Sequence, residues 1–261
     1  MATVIDKVLS DKVLSKEKVR EIIAKRAAKE FKNGDTVTLG IGLPTAVADY
    51  IPEGIKVIFQ SENGILGVNR TLSGEEADSR IINAGGAPVS IQEGACFYDS
   101  QMAFTMMRGG HIDATVLGAL QVDQEGSLAS WLIPGKFVPG MGGSMDLIVG
   151  SKKVIIAMEH TTGKGEPRIV KNCTIPLTAE GEVDMIVTER CVLEVTKEGL
   201  LLKEINFFDG AYVLEGNNRK LLLSYIETIE NLVKGVIAGF ENVKSTNCRV
   251  KLDKQVNNVV I

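Results

Sequence analysis

The sequence predicts an α/β protein with an open, mainly parallel mixed sheet flanked by helices. Short apolar runs typical of buried strands alternate with amphipathic helical stretches along most of the chain. After residue 180, two strand-like runs follow one another with no helix between them, which indicates a mixed sheet there. The 261 residues, 44% of them apolar, suffice for one large domain with its own core.

The helices are predicted from apolar residues at helical spacing and from end signals. Residues 15–31 carry an apolar stripe opposite Lys, Arg and Glu, with Ser15 as a suitable N-cap and Gly34 just beyond the end. Pro44 suits the first turn of a second helix. A third helix is predicted over residues 99–108, which two glycines follow.

The strands are predicted from short apolar runs bounded by turn residues. They fall at 36–41, 55–60, 80–84, 112–120, 146–149, 154–158, 183–188 and 192–195. The run at 55–60 is almost wholly apolar, which indicates burial on both of its faces. Residues 121–143 are predicted to be rich in loops.

These elements place one domain over residues 1–206. Residues 207–261 form an atypical C-terminal extension, in which apolar residues at helical spacing predict a long amphipathic helix over 220–240.

Composition excludes several classes of function. The net charge of −4 disfavours nucleic acid as a partner, because phosphate-reading surfaces need clustered Lys and Arg. Four scattered cysteines and two histidines disfavour a metal site and fit a reducing compartment. No signal peptide core and no apolar run of bilayer length is present in the sequence. We therefore expect a soluble, cytoplasmic protein with neither nucleic acid nor membrane as partner.

The segment Ser61-Glu62-Asn63-Gly64 directly follows a predicted buried strand. Ligand sites of open α/β sheets gather at the carboxyl ends of strands, so Glu62 is expected at the mouth of a cleft. A partly desolvated carboxylate there is a suitable nucleophile toward an acyl carbon. The residues alone leave a second interpretation open, in which Glu62 is an ordinary solvated turn carboxylate.

A glycine-rich turn at 140–143 is the second chemical feature. Its residues Gly142 and Gly143 could direct a backbone N–H at a developing oxyanion, or could simply form a tight turn. Neither the dinucleotide-binding nor the P-loop glycine pattern is present in the sequence. A serine hydrolase is disfavoured because no G-x-S-x-G occurs, and His111 and His160 are expected to be structural.

Motifs along the chain resemble those of family I coenzyme A transferases, the 3-oxoacid type. The S-E-N-G signature of that family matches residues 61–64. Further motifs match in the family's order and spacing at 40–44, 82–86, 108–113, 131–136, 140–147 and 158–160. The chain fits best the β subunit of bacterial enzymes that move CoA between acetoacetate, acetate and butyrate, and the resemblance implies the CoA-transferase/isomerase-like fold.

The resemblance also implies a mechanism and a site. Glu62 would be the covalent nucleophile in a ping-pong reaction through a glutamyl-CoA thioester. Gly142 or Gly143 would supply an oxyanion donor, and Gly42 is a further candidate for CoA or oxyanion contacts. Asn63 would contact substrate or hold the turn. CoA enters as a substrate, so neither a metal nor a permanently bound cofactor is expected.

The resemblance further implies a partner chain. The family's α half is absent from this sequence, so we expect a separate α subunit and an α2β2 assembly. Residues 67–70 depart from the family's glycine-proline stretch, and residues after 206 do not match its tail. Two alternatives remain open: an acyl-CoA hydrolase that uses the same glutamate, and a non-catalytic effector-binding or scaffold module.

Overall fold

The computed structural model describes residues 15–136, 140–206, 251–252 and 258–260. Its helices are α1 (Lys16–Ala28), α2 (Ser100–Arg108) and α3 (Ser144–Gly150), with 3-10 helices at Pro44–Tyr50 and Gly74–Glu76. The strands up to the middle of the chain are β1 (Thr36–Leu39), β2 (Ile58–Ser61), β3 (Ile65–Thr71), β4 (Val89–Phe97), β5 (Ala114–Leu117), β6 (Gln121–Asp123) and β7 (Leu128–Ala129). The remaining strands are β8 (Val154–Ala157), β9 (Ile169–Val170), β10 (Met185–Val187), β11 (Cys191–Thr196), β12 (Gly199–Asn206), β13 (Lys251–Leu252) and β14 (Asn258–Val260).

One eleven-stranded sheet organises the described residues, in the order β13-β14-β12-β11-β10-β8-β5-β1-β2-β3-β4. The five strands at its centre, β10, β8, β5, β1 and β2, are parallel. The strands on either side of this parallel centre pair antiparallel. A small sheet of β7, β6 and β9 lies apart from it. The predicted fold class, a mixed α/β sheet flanked by helices, is confirmed.

Both faces of the parallel centre are buried. Along β8, Ile155 belongs to a core cluster that includes α1, whereas Ile156 belongs to the opposite cluster, with α2 and α3. This alternation is the period of a strand whose side chains point to opposite faces. It explains why the central strands appear in the sequence as unbroken apolar runs.

Helix α1 is anchored to the sheet by a half-buried ion network. Arg26 donates from Nε and one Nη to the two carboxylate oxygens of Glu204, each at 2.6 Å, and from its other Nη to Glu30 at 2.6 Å. Lys153 donates to the second oxygen of Glu30 at 2.6 Å. The N-cap at Ser15 is also confirmed, since its hydroxyl oxygen accepts from the Lys18 N–H.

Two predicted strands are wrong. Residues 146–149 lie in helix α3, because Leu147 and Ile148 pack against α2 while Val149 is exposed, and a short apolar run has no decisive period. Residues 80–84 form a loop, of which only Ile82 makes an isolated bridge. Strands β3 and β4, by contrast, are absent from the sequence prediction. Their exposed positions interrupt the apolar pattern.

The C-terminal part is described only at β13 and β14, which extend the main sheet next to β12. The amphipathic helix predicted over 220–240 lies outside the described residues. None of the helices in the described ranges combines the length and apolarity that crossing a bilayer requires.

Candidate active site

Glu62 lies in the tight turn between β2 and β3. The turn is closed by the Gly64 N–H, which donates to the Ser61 carbonyl at 2.9 Å. Gly64 has a φ of +110°, and a Cβ at this position would collide with the carbonyl oxygen of Tyr98. Glycine is therefore required at position 64 both by its backbone angle and by the lack of space.

The loop that follows residue 80 supports this turn. The Asn63 side-chain amide donates to the Ile82 carbonyl at 2.7 Å, and the Ala84 N–H donates to the Ser61 hydroxyl oxygen at 2.9 Å. The Asn83 side chain in turn accepts from the N–H groups of residues 85 and 87. The amide nitrogen of Asn63 is thus engaged in holding the turn.

The Glu62 carboxylate lies against the glycine-rich turn that precedes α3. A Cβ built on Gly143 would lie 2.9 Å from Glu62 Oε2 and 2.9 Å from Cζ of Phe104. Gly143 is buried at this contact, whereas Gly142 is exposed with a φ of +57°. The structure therefore brings Gly143 beside the predicted nucleophile, although the two are 81 residues apart in sequence.

The electrostatics around Glu62 disfavour its charged form. Burial is the main cause that raises the pKa of Glu62, and the negative charge of Asp146 raises it further. Asp146 lies in the first turn of α3 and accepts a 2.6 Å hydrogen bond from Arg108 Nε. Arg108 also stacks over the ring of Phe104, with its guanidinium carbon 5.7 Å from the ring centroid.

A buried polar cluster lies beneath the turn. The Thr38 hydroxyl donates to Gln60 Oε1 at 2.8 Å, and both side chains are buried. Gln60 Nε2 and the Tyr98 hydroxyl are also buried, and neither has a well-formed hydrogen-bond partner among the described residues. Burial raises the pKa of Tyr98, and the neighbouring Gln60 side chain partly offsets this.

Sequence reasoning missed several residues of this site. Sequence patterns place Asp146 in a strand and Phe104 in a helix and assign no role to either, although Asp146 lies within the family-like motif at 140–147. One sequence feature could have identified Gln60 as a site residue, because it is a polar residue at the end of an apolar strand. Gly42, a predicted site residue, lies in the exposed loop after β1, where a Cβ would meet nothing within 4 Å.

His160 is buried and structural in character, as expected. Its Nδ1 lies 3.2 Å from the Thr188 hydroxyl oxygen. Burial, with the nearby charge of Arg190, lowers the pKa of His160 to about 4, so the imidazole is neutral at pH 7. Burial likewise raises the pKa of the adjacent Cys191 thiol to about 11. Across the described residues, no cluster of three or more His, Cys, Asp or Glu side chains is arranged to hold a metal ion.

Comparison with known proteins places this site in a family. Residues 20–215 match the family model described as coenzyme A transferase. The chain is 52% identical over 185 residues to the β subunit of an acetate CoA-transferase of Haemophilus influenzae, over 71% of this chain and 82% of that protein. It is 46% identical over 187 residues to one subunit of a succinyl-CoA:3-ketoacid coenzyme A transferase of Helicobacter pylori, over 72% of this chain and 90% of that one.

A solved structure supports the fold. An acyl-CoA transferase of Escherichia coli O157:H7, in a thioester complex with CoA, superposes with a TM-score of 0.59 at 21% identity. The superposition covers 77% of this chain and 40% of that chain, so our chain spans about two-fifths of that relative's length. Because a family model matches residues 20–215 and a relative is 52% identical over 71% of this chain and 82% of its own length, the chain belongs to the coenzyme A transferase family and matches the β subunits of that family.

Proposed function

We propose that this chain is the catalytic β subunit of a CoA-transferase that moves CoA between a short-chain acyl-CoA and a carboxylate acceptor. The observation that supports this most directly is the half-buried Glu62 carboxylate held against the backbone of Gly143. A carboxylate that has lost part of its hydration is a stronger nucleophile. The adjacent backbone N–H can stabilise an oxyanion that forms next to it.

The first half-reaction transfers CoA to the enzyme. A Glu62 oxygen attacks the thioester carbonyl and the C–S bond breaks. CoA leaves as the thiolate, and the acyl group stays on Glu62 as a mixed anhydride. The thiolate then attacks the glutamyl carbonyl carbon, the anhydride C–O bond breaks, and the first acid leaves as its carboxylate. The enzyme now holds a glutamyl-CoA thioester.

The second half-reaction reverses these steps with the acceptor acid. Its carboxylate attacks the glutamyl thioester, and the thiolate released then attacks the acyl carbon of the new anhydride, which frees Glu62. The thioester energy is conserved only if water is kept from both covalent intermediates. No metal or redox cofactor takes part in any step.

The substrates we propose are acetate, acetoacetate, butyrate and their CoA thioesters. Relatives named for acetate and for succinyl-CoA with a 3-ketoacid support short carboxylates as a class. One methylene in an apolar pocket is worth only about 1–3 kcal/mol, so we expect graded preference within this class. Rates with a series of short carboxylates against acetyl-CoA and butyryl-CoA measure that preference.

The test of the mechanism is covalent trapping. The chain with its α partner and an acyl-CoA, but no acceptor, should accumulate the glutamyl thioester, which borohydride reduces at Glu62 and which peptide mass spectrometry locates. Glu62→Gln should lower transfer about 10⁴-fold or more. Glu93→Gln, which removes an exposed carboxylate from β4, is the matched control and should keep full activity.

Folding of the Glu62→Gln variant provides an internal control. A carboxyl group whose pKa is raised in the folded state stabilises the fold below its unfolded pKa, and that contribution is lost as pH rises through the folded pKa. Removing the charge should therefore leave the Tm at pH 7 unchanged or higher. Slow recovery of activity would indicate deamidation back to glutamate. An active complex with Glu62 unmodified would refute the mechanism, and CoA release without acceptor at the transfer rate would indicate a hydrolase.

A further inference from the structure

The loop of residues 81–88 contacts the Glu62 turn on both sides of the nucleophile. On one side, the Asn63 side-chain amide donates to the Ile82 carbonyl at 2.7 Å. On the other side, the Ala84 N–H donates to the Ser61 hydroxyl oxygen at 2.9 Å. The two sequence neighbours of Glu62 are therefore held by two loop residues that flank position 83.

Asn83 gives this loop its shape. Its side-chain carbonyl oxygen accepts from the N–H groups of Gly85 and Ala87, each at 3.0 Å. Its main chain adds two more hydrogen bonds, because its N–H donates to the Ala87 carbonyl and its carbonyl accepts from the Gly86 N–H, each at 2.9 Å. An asparagine whose side chain and main chain both bond to the residues just after it closes a tight turn.

The base of the loop is tied to the edge of the main sheet. The N–H of Val89, the first residue of β4, donates to the Ile81 carbonyl at 3.0 Å. The N–H of Leu72, just after β3, donates to the Pro88 carbonyl at 2.8 Å. With its base fixed to β3 and β4 and its tip fixed by Asn83, the loop can hold the turn in place and need not follow its movements.

A loop that only connected β3 with β4 would need no more than its base. The Asn83 hydrogen bonds would then contribute to stability alone. The contacts to residues 61 and 63 favour a role at the site, because these residues are the immediate neighbours of the nucleophile. The Glu62 carboxylate has to meet the backbone at Gly143, and a misplacement of reacting groups by about 1 Å can cost about 100-fold in rate.

We infer that Asn83 is a positioning residue for the reaction at Glu62. Its side-chain oxygen fixes the loop, the loop fixes residues 61 and 63, and these two residues direct the Glu62 carboxylate toward Gly143. The inference rests on the proposed function. It adds to that function a residue that acts through the turn and not on the reacting atoms.

Two substitutions at position 83 test the side-chain oxygen, measured with the α partner present. Asn83→Leu keeps the size of the side chain but removes the acceptor, so kcat should fall about 10- to 100-fold with the KM for acyl-CoA nearly unchanged. Asn83→Asp keeps an oxygen that accepts from both N–H groups, so kcat should stay within about threefold of wild type. The values are compared on the pH-independent plateau, because the added carboxylate can shift the pKa of Glu62.

The same asparagine-to-aspartate change should be harmful at position 63. Asn63 contributes a donor, and Asn63→Asp would set a carboxylate oxygen against the Ile82 carbonyl, so kcat should fall as in Asn83→Leu. Ser61→Ala removes the acceptor of the Ala84 N–H and should lower kcat about tenfold, which keeps the test valid if Asn83→Leu impairs folding. Unchanged kcat in the variants at 61 and 63, or equal losses in the two variants at 83, would overturn the inference.

Asn33→Leu is the matched control. The Asn33 side-chain oxygen accepts from the Lys56 N–H at 2.9 Å, at the end of β1 and β2 opposite to the Glu62 turn. This variant should lower the Tm and leave kcat per folded molecule unchanged. A loss of kcat as large as that in Asn83→Leu would mean that any weakened loop impairs the enzyme, which would contradict a positioning role for Asn83.

Hydrogen exchange without substrate separates this inference from the proposed reaction. Amides of residues 61–64 should exchange about tenfold faster in Asn83→Leu, and at the wild-type rate in Asn83→Asp and Asn33→Leu. Unchanged exchange in Asn83→Leu would overturn the inference even if kcat fell. Faster exchange, combined with no labelling of Glu62 in the wild-type complex, would refute the proposed function and leave Asn83 as the support of the turn.

Discussion

At the scale of single residues, the environment of Glu62 destabilises its carboxylate and thereby makes it more reactive. Partial burial and the charge of Asp146 both disfavour the carboxylate, and both raise the pKa of Glu62. The same conditions make the ionised group more reactive, because poor solvation leaves the anion less stabilised before it attacks. Arg108 limits the effect by holding Asp146 at 2.6 Å. The pKa of Glu62 is thus shifted by a neighbouring ion pair that acts through its charge and not through a hydrogen bond to Glu62.

We predict that the two members of this ion pair shift the pH profile in opposite directions. Asp146→Asn removes a negative charge beside Glu62, so the pKa of Glu62 falls and the acidic limb of kcat/KM moves to lower pH. Arg108→Gln leaves Asp146 unneutralised, so the limb moves to higher pH. The profile of kcat/KM against pH measures the shift in each variant. Shifts in the same direction in the two variants would show that the Arg108–Asp146 ion pair does not control the pKa of Glu62.

Gly143 and Gly142 provide a second residue-scale prediction. Gly143→Ala should lower kcat about 100-fold, because its Cβ would displace Glu62 Oε2 and the Phe104 ring. Its φ of −83° suits alanine, so the fold should persist. Gly142→Ala meets no atom within 4 Å and should cost only modest backbone strain. Steady-state kinetics and Tm measurements compare the two alanine variants. Equal losses of kcat would show that the contact between Gly143 and Glu62 is not required for catalysis.

At the scale of elements, the turn between β2 and β3 is what presents Glu62. The sequence predicts β2 and its end because 55–60 is an unbroken apolar run followed by a turn signal. It does not predict β3 and β4, because β3 has three exposed positions and β4, among the described strands, pairs only with β3 at the sheet edge. Half-exposed strands at a sheet edge are stabilised by cross-strand pairing rather than by a continuous apolar run, so the local apolar pattern does not identify them.

Helix α3 is the opposite case, in which the local sequence pattern predicts a strand that the structure does not form. Its apolar residues 147–149 are typical of a strand, yet they form a helix because Gly150 lets the helix approach the main chain at Met107. The contact of Glu62 with Gly143 depends on this packing of α3 on α2. Sequence motifs could therefore name Glu62 and its glycines as candidates, whereas the roles of Asp146 and Phe104 required the tertiary contacts.

The turn itself can be tested with two glycines that share a positive φ. Gly64→Ala should destabilise the protein by about 3 kcal/mol or more, since its Cβ collides with the Tyr98 carbonyl in addition to the backbone strain. Gly54→Ala, at φ +84° with no atom within 4 Å, should cost only about 1 kcal/mol. Urea unfolding gives both free energies, and equal values would show that the collision at Gly64 is relieved at little cost.

At the scale of the whole molecule, three elements next to the site each carry a large exposed apolar side chain. Phe97, Met102 and Met145 are each more than half exposed, at 58%, 52% and 52%. They lie on β4, α2 and α3, the elements that surround Glu62. Large exposed apolar side chains on neighbouring elements are typical of an interaction surface. The relative solved with CoA is a much longer chain, of which the matching region forms 40%.

We therefore predict that a separate α subunit covers this surface and completes the site. The isolated chain should show no transfer, and addition of the α subunit should restore activity in an assembly whose mass by native mass spectrometry corresponds to α2β2. Met102→Glu and Met145→Glu should weaken assembly at least tenfold, because each buries a charge without a partner in the interface. Their Tm as isolated chains should stay unchanged, since both side chains are exposed there.

The control for this surface is Leu177→Glu, at an exposed apolar residue outside these three elements, which should assemble normally. Loss of assembly in that variant as well would mean that any added charge disturbs the complex, whatever its position. Full transfer activity of the isolated chain would contradict the prediction itself, because Glu62 would then need no second subunit to exclude water from its covalent intermediates.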